Sequence, residues 1–182
     1  MTKVDIQDAY LHVPLHPSYQ KFLGFAHEGR VYRYQALPFG YNRAPRMFTK
    51  IMRPILSHLR AQGVRCLAYI DDLIFFTETP EKSNEVTQLA LRCLTSLGFL
   101  VSWKKCELTP SQEVEFLGFV VNTREMILQV PETKVTTYLA AARKMTKQKS
   151  ATLLEVQSLL GRLNSTAAAV PQCRLKTREL MM

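Results

Sequence analysis

Cys66-Leu67-Ala68-Tyr69-Ile70-Asp71-Asp72-Leu73-Ile74-Phe75-Phe76 sets two adjacent acids between two apolar, partly aromatic arms. The arms are too short and too aromatic for a good helix, so the stretch predicts a buried hairpin with the acids at its bend. A carboxylate placed beside a buried strand loses hydration and calls for a compensating partner. Asp5 stands near the end of a second, β-branched run, Thr2-Lys3-Val4-Asp5-Ile6. Taken singly, Asp71-Asp72 reads as a polar turn and Asp5 as a helix cap. Taken together, three acids on adjacent strands suit a hard cation, because magnesium is held by one or two carboxylates and completed by substrate phosphates. Two such ions can clamp the attacking and leaving oxygens of an in-line displacement.

Outward from this run, Pro14 and Pro17 exclude a long helix after Asp5, which leaves a strand leading into a compact turn. Residues 21–37 read as two strands around a Glu28-Gly29 turn, with Val31, Arg33 and Gln35 alternating against Tyr32 and Tyr34. Phe48, Ile51, Met52, Ile55, Leu56 and Leu59 recur at helical steps, with Asn42 as the expected cap and Arg46, Lys50 and Arg53 on the opposite face. A second helix follows through Val86, Leu89, Ala90, Cys93, Leu94 and Leu97, and Gly98 stops it. Two short strands are expected near Leu100–Trp103 and Val114–Val121. From Pro131 the chain turns basic and helical, and Thr152-Leu153-Leu154-Glu155 is a capping-box signature opening another helix through Leu163. The pattern predicts an α+β fold, an antiparallel sheet backed by helices over residues 1–130, with a small helical extension over 131–182.

Lys and Arg number 24 against 15 Asp and Glu, a formal charge of +9 in 182 residues. The excess suits a polyanionic partner, although a basic soluble protein would show it equally. Cys66, Cys93, Cys106 and Cys173 form no CxxC pair, and His12, His16, His27 and His58 lack ligand spacing, so the thiols read as reduced and the imidazoles as surface or packing groups. Neither a bilayer-length apolar run nor a signal-peptide core occurs in the sequence, which points to the cytoplasm or nucleus and to no membrane partner.

Tyr69-Ile70-Asp71-Asp72 resembles the YxDD motif of reverse transcriptases, and the surrounding order matches that family. Asp5-Ile6-Gln7-Asp8-Ala9-Tyr10 is similar to its first catalytic motif, and Leu37-Pro38-Phe39-Gly40 with Ala44-Pro45 to its second. Gly98-Phe99, Lys104-Lys105-Cys106 and Phe116-Leu117-Gly118-Phe119 follow in the order of its lysine motif and primer-grip hairpin. Residues 37–50, 69–76 and 158–171 are closest in flavour to DIRS-like retroelements, and next to gypsy-like long-terminal-repeat elements.

The resemblance implies a polymerase palm with a thumb-like extension, using two magnesium ions, with manganese as a substitute ion. Asp5 and Asp71 would be the main metal ligands, helped by the Ile6 carbonyl, with Asp72 close enough to shape the field or meet the primer end. Asp8, Ala9 and Tyr10 match positions around the incoming nucleotide, although Asp8 reads equally as a solvated acid. Tyr10 matches the bulky group that excludes a 2′-hydroxyl, and Phe39 and Gly40 would line the same pocket, Phe39 standing where retroviral enzymes have glutamine. Lys105 matches the proton donor to pyrophosphate, with Lys104 as its alternative. Arg143, Lys144, Lys147, Lys149 and Arg162 would track duplex phosphates, or form a solvated face. The implied partners are a primer on an RNA or DNA template, deoxynucleoside triphosphates, and other polyprotein domains such as fingers and ribonuclease H. The family's fingers begin well before its first motif, whereas Asp5 stands almost at the start of this chain, so most of the fingers are expected to be missing. A non-catalytic nucleic-acid-binding module that keeps the palm is the alternative.

Overall fold

The structure is a computed structural model that describes residues 1–178. It divides into two compact units, Met1–Ser111 and Gln112–Met182. That division precedes the change in composition at Pro131, because the segment from Gln112 to Val130 builds its own small sheet next to the helical tail in sequence.

In the first unit, β1 (Thr2–Asp5), β5 (Asp72–Phe76) and β4 (Arg65–Tyr69) form an antiparallel sheet in the order β1-β5-β4. The register pairs Val4 with Leu73 and Asp5 with Asp72, and on the other side Tyr69 with Asp72. Successive side chains alternate between the two faces of a strand. Val4, Leu73 and Phe75 therefore share one face, which is fully buried, and Asp5 and Asp72 share the other.

The helices α2 (Ala44–Ala61) and α3 (Pro80–Ser96) add to this core through Phe48, Met52, Leu59, Ala90 and Leu94, all at most 2% exposed. Fully burying an apolar side chain of this size contributes about 1.5–3 kcal/mol, so this layer holds the sheet in place. Where β1 meets α3, the hydroxyls of Thr2 and Thr87 satisfy each other at 2.6 Å, and Thr87 also donates to the Ser83 carbonyl. The helix α3 opens on Thr79, whose hydroxyl accepts from the Lys82 amide, with Pro80 in the first turn where its missing N–H costs nothing. A short helix α1 (Pro17–Gln20) and the hairpin β2 (Gly24–His27) with β3 (Arg30–Arg33) lie between β1 and α2.

In the second unit, β6 (Glu113–Phe116), β7 (Phe119–Asn122) and β8 (Ile127–Gln129) form an antiparallel sheet, followed by α4 (Glu132–Lys147), α5 (Leu153–Asn164) and α6 (Cys173–Thr177). The Asn122 side chain accepts from the Arg124 and Glu125 amides, an arrangement that turns the chain from β7 into β8. The capping box forms: the Thr152 hydroxyl accepts from the Glu155 amide, and the Glu155 carboxylate accepts from the Thr152 amide.

Several sequence expectations are corrected. Leu100–Trp103 is not a strand; Val101 makes one bridge to Ile6, and Trp103–Lys105 coils into a 3-10 turn. Val114–Val121 is two strands broken by a two-residue turn at Leu117-Gly118, and β8 was not anticipated, since its three residues carry no alternation long enough to read. Asn42 does not cap α2; Arg43 occupies that position without a side-chain hydrogen bond. The basic helix ends at Lys147, which leaves Lys149 outside it.

Candidate active site

The first acid is positioned by β1. Asp5 is 5% exposed, and its Oδ1 is buried without a hydrogen-bond partner. Its backbone is held on both sides, because Ser102 donates to its carbonyl at 2.9 Å and its amide points at the Cys106 Sγ at 3.3 Å. The other two acids come from the β4–β5 turn. Ile70 takes a left-handed φ of 55° to make that turn, an uncommon conformation for a β-branched residue that points to a geometrically constrained bend. The turn is tied to β1 by the Ile6 amide, which donates to the Asp71 carbonyl at 2.9 Å.

Register brings Asp72 opposite Asp5, and their carboxyls lie within hydrogen-bonding reach of each other. Burial pushes the Asp72 carboxyl above the usual carboxylate range; the negative charges of Asp71 and Asp5 add to that, and Lys3 opposes it. The Lys105 amino group lies 3.6 Å from Asp5 Oδ1 at the end of an otherwise exposed side chain. Of the two neighbouring lysines, Lys105 rather than Lys104 is the one that reaches Asp5.

Fit to a divalent cation follows from these contacts. A buried carboxylate oxygen with no hydrogen bond and only the Lys105 ammonium 3.6 Å away, facing a second carboxyl that burial and charge repulsion make harder to ionise, is stabilised by a bound cation. Among the described residues no three His, Cys, Asp or Glu side chains converge into a ready-made cage. Magnesium does not need one, since it keeps waters and takes substrate phosphate oxygens.

Around the acids, Tyr10 sits on a 3-10 turn (Ala9–His12) entered through Asp8, whose φ is 49°. Its ring lies 5.2 Å from Phe39 and edge-on to Phe48 at 6.1 Å. Burial raises the Tyr10 hydroxyl above its ordinary pKa, with further contributions from Asp71 and Tyr69, which sets the ring beside the YxDD turn. Phe39 is largely exposed, and Gly40, at φ +87° with open space where a Cβ would stand, leaves room next to it. Ala9 is buried and the Asp8 side chain is exposed.

In the second unit, Phe116 and Phe119 close the β6–β7 pair, with Leu117 and Gly118 both at positive φ in the turn. Arg143, Lys144 and Lys147 are exposed on α4, Arg162 on α5, and Lys149 in the connection between the two helices. Lys144 and Arg162 line a cleft of about 350 Å³ with Gln148, Ser158 and Glu155.

One group of residues was visible in the sequence only as a polar helix face. Arg46, Lys50 and Arg53 line a cleft of about 540 Å³ together with Thr49, Tyr69 and Ile70. No carboxylate pairs with these three cations among the described residues. Their i, i+4, i+7 spacing was the available signal; that β4 would present Tyr69 against the same row could not be read from it.

An antiparallel sheet backed by helices, with carboxylates paired across neighbouring strands and a basic cleft alongside, defines a palm of the nucleic-acid polymerase class. The family model for "Reverse transcriptase (RNA-dependent DNA polymerase)" matches residues 1–121. The chain is 25% identical to the Gag-Pro-Pol polyprotein of human T-cell leukemia virus 2 over 97% of its length and 12% of that protein. It is 30% identical to a putative enzymatic polyprotein of cassava vein mosaic virus, over 93% of the chain and 24% of the relative. Foamy viral protease-reverse transcriptase in complex with double-stranded DNA superposes with a TM-score of 0.81 at 25% identity, over 99% of this chain and 30% of that one. The same enzyme with an RNA/DNA hybrid gives 0.77 at 25% identity, over 91% and 21%. The chain belongs to the reverse transcriptase family, and it spans under a third of the length of each of these relatives. No described helix is long and apolar enough to cross a membrane.

Proposed function

We propose that this chain is the catalytic palm and the start of the thumb of an RNA-directed DNA polymerase that extends a primer 3′ end on an RNA or DNA template. The observation that carries this reading is the cross-strand pair Asp5–Asp72, with Asp71 at the adjoining turn and Lys105 at 3.6 Å from Asp5.

Asp5 and Asp71, with the Ile6 carbonyl, would hold magnesium, and manganese would substitute for it. When bound, the metal supplies charge neutralisation at the attacking and departing oxygens. The chain's own residues do the remainder. Asp72 would shape the field at the primer end or meet that end, and Lys105 would deliver a proton to the leaving pyrophosphate. Tyr10 closes the floor of the deoxynucleotide site against a 2′-hydroxyl, with Phe39 and Gly40 beside it and Asp8 and Ala9 on the triphosphate side. The hairpin Phe116–Phe119 would hold the primer, and Arg143, Lys144, Lys147, Lys149 and Arg162 would meet duplex phosphates.

The row Arg46, Lys50 and Arg53 would take the backbone of the template strand, because the primer end belongs at the carboxylates and this cleft lies at the β4 edge of the sheet. Other polyprotein domains, fingers and ribonuclease H, are the proposed partners, the source a DIRS-like element or, next, a gypsy-like one, and the site of action the cytoplasm or nucleus. The test is primer extension with magnesium and deoxynucleotides on an RNA template, by the chain joined to an upstream fingers segment. Extension abolished by Asp71→Asn supports the reading; a folded, duplex-binding protein that never extends a primer replaces it with a non-catalytic binding module.

A further inference from the structure

The tip of the β6–β7 hairpin is fastened from outside its own sheet. Lys134, in the first turn of α4, donates from Nζ to the Gly118 carbonyl at 2.8 Å. A cation is disfavoured in the first turn of a helix, where the backbone dipole is positive, so a lysine here needs a local acceptor. Gly118 provides it: its φ of +78° is a conformation that favours glycine, and a Cβ there would displace the Lys134 amino group. Leu117, the other turn residue, also has a positive φ, at 50°, and its side chain is 47% exposed, so the tip has little packing of its own to hold it.

We propose that Lys134 is a positioning residue that fixes the tip of the Phe116–Phe119 hairpin through the Gly118 carbonyl, and so fixes the primer end that this hairpin presents for reaction. The second half rests on the polymerase function proposed above; the first half does not. The lysine touches neither primer nor nucleotide in this role. Its effect is to remove alternative tip conformations, each of which would leave the primer bound but misplaced, and small misplacements of a reacting end cost rate rather than affinity.

The experiment compares wild type, Lys134→Met and Lys134→Arg in the fingers-bearing protein, each first shown to be folded by circular dichroism. Amide hydrogen exchange at Phe119, which closes the β6–β7 ladder opposite Phe116, is read without substrate. Loss of a charge-assisted hydrogen bond predicts exchange faster by about tenfold in Lys134→Met, restored in Lys134→Arg, with α5 unchanged. Primer–template Kd and the rate of single-nucleotide incorporation are then read separately. The expected result is a Kd within about twofold of wild type and incorporation slower by about tenfold in Lys134→Met, with most of the rate returned by arginine. Unchanged exchange at the tip overturns the proposal. So does faster exchange with unchanged incorporation, or a weakened Kd as the main effect, which would make Lys134 a duplex contact. If the tip loosens as expected but even the wild-type protein extends no primer, the fastening stands, and its role in presenting a primer falls together with the polymerase reading.

Discussion

Replacing Arg46, Lys50 and Arg53 together with glutamine tests whether the α2 cleft carries a nucleic-acid backbone. At 1.5 Å per residue, the seven steps from Arg46 to Arg53 cover about 10.5 Å along the helix. At 3.4 Å of duplex axis per nucleotide of one strand, that length faces about three phosphates. Each neutralised phosphate of a duplex contributes about −0.9 to the slope of log affinity against log salt, so the triple variant should lose about 2.7 from that slope. Between 50 and 200 mM salt, this means that the variant's affinity falls about 40-fold less than that of the wild type. The assay is fluorescence anisotropy with a labelled primer–template across a salt series. A matched control neutralises Arg65, Lys82 and Arg92, of which the first two are already paired with Glu78 and Glu85. An unchanged slope in the cleft variant, or an equal change in the control, refutes the reasoning, because either result would mean that the cleft is only a solvated face.

Asp72→Asn should make the first unit more stable at neutral pH, with a pH-dependent margin. The folded Asp72 carboxyl has a raised pKa, so in wild type the folded state binds more protons than the unfolded one between the ordinary carboxylate value and that raised value. Its stability therefore falls as pH rises through that window, and urea titrations from pH 3 to 7 should show the variant's advantage growing with pH and then levelling off; an advantage that shrinks with pH would invert the assignment. Phe48→Ala removes a fully buried ring that touches Tyr10 and Phe99, and should cost about 3–5 kcal/mol in chemical denaturation, whereas a loss under 1 kcal/mol would place that ring outside the core.

The amino-acid sequence by itself determined the acids and the elements around them. The apolar arms about Asp71-Asp72 and the β-branched run at Asp5 are short local runs, and the helices α2 and α3 are patterns of period near 3.6, so each element is legible within its own segment. The turn chemistry of Glu28-Gly29, the Thr152–Glu155 box and the Gly98 stop are local in the same sense. The sequence could not say that Asp5 would face Asp72 across a register, since registry between β1 and β5 depends on the joint burial of Val4, Leu73 and Phe75 against two helices. It also could not say that Lys105 would reach Asp5, that Arg46, Lys50 and Arg53 would share a cleft with Tyr69, or that Lys134 would reach back to Gly118. The run at Leu100–Trp103 failed as a strand for the converse reason: its apolar residues suit an extended chain, but the Ser102 amide is taken by the Asp5 carbonyl and the backbone then coils. Side chains far apart along the chain meet only when packing has closed the intervening segments, so those contacts were decided by the tertiary structure alone.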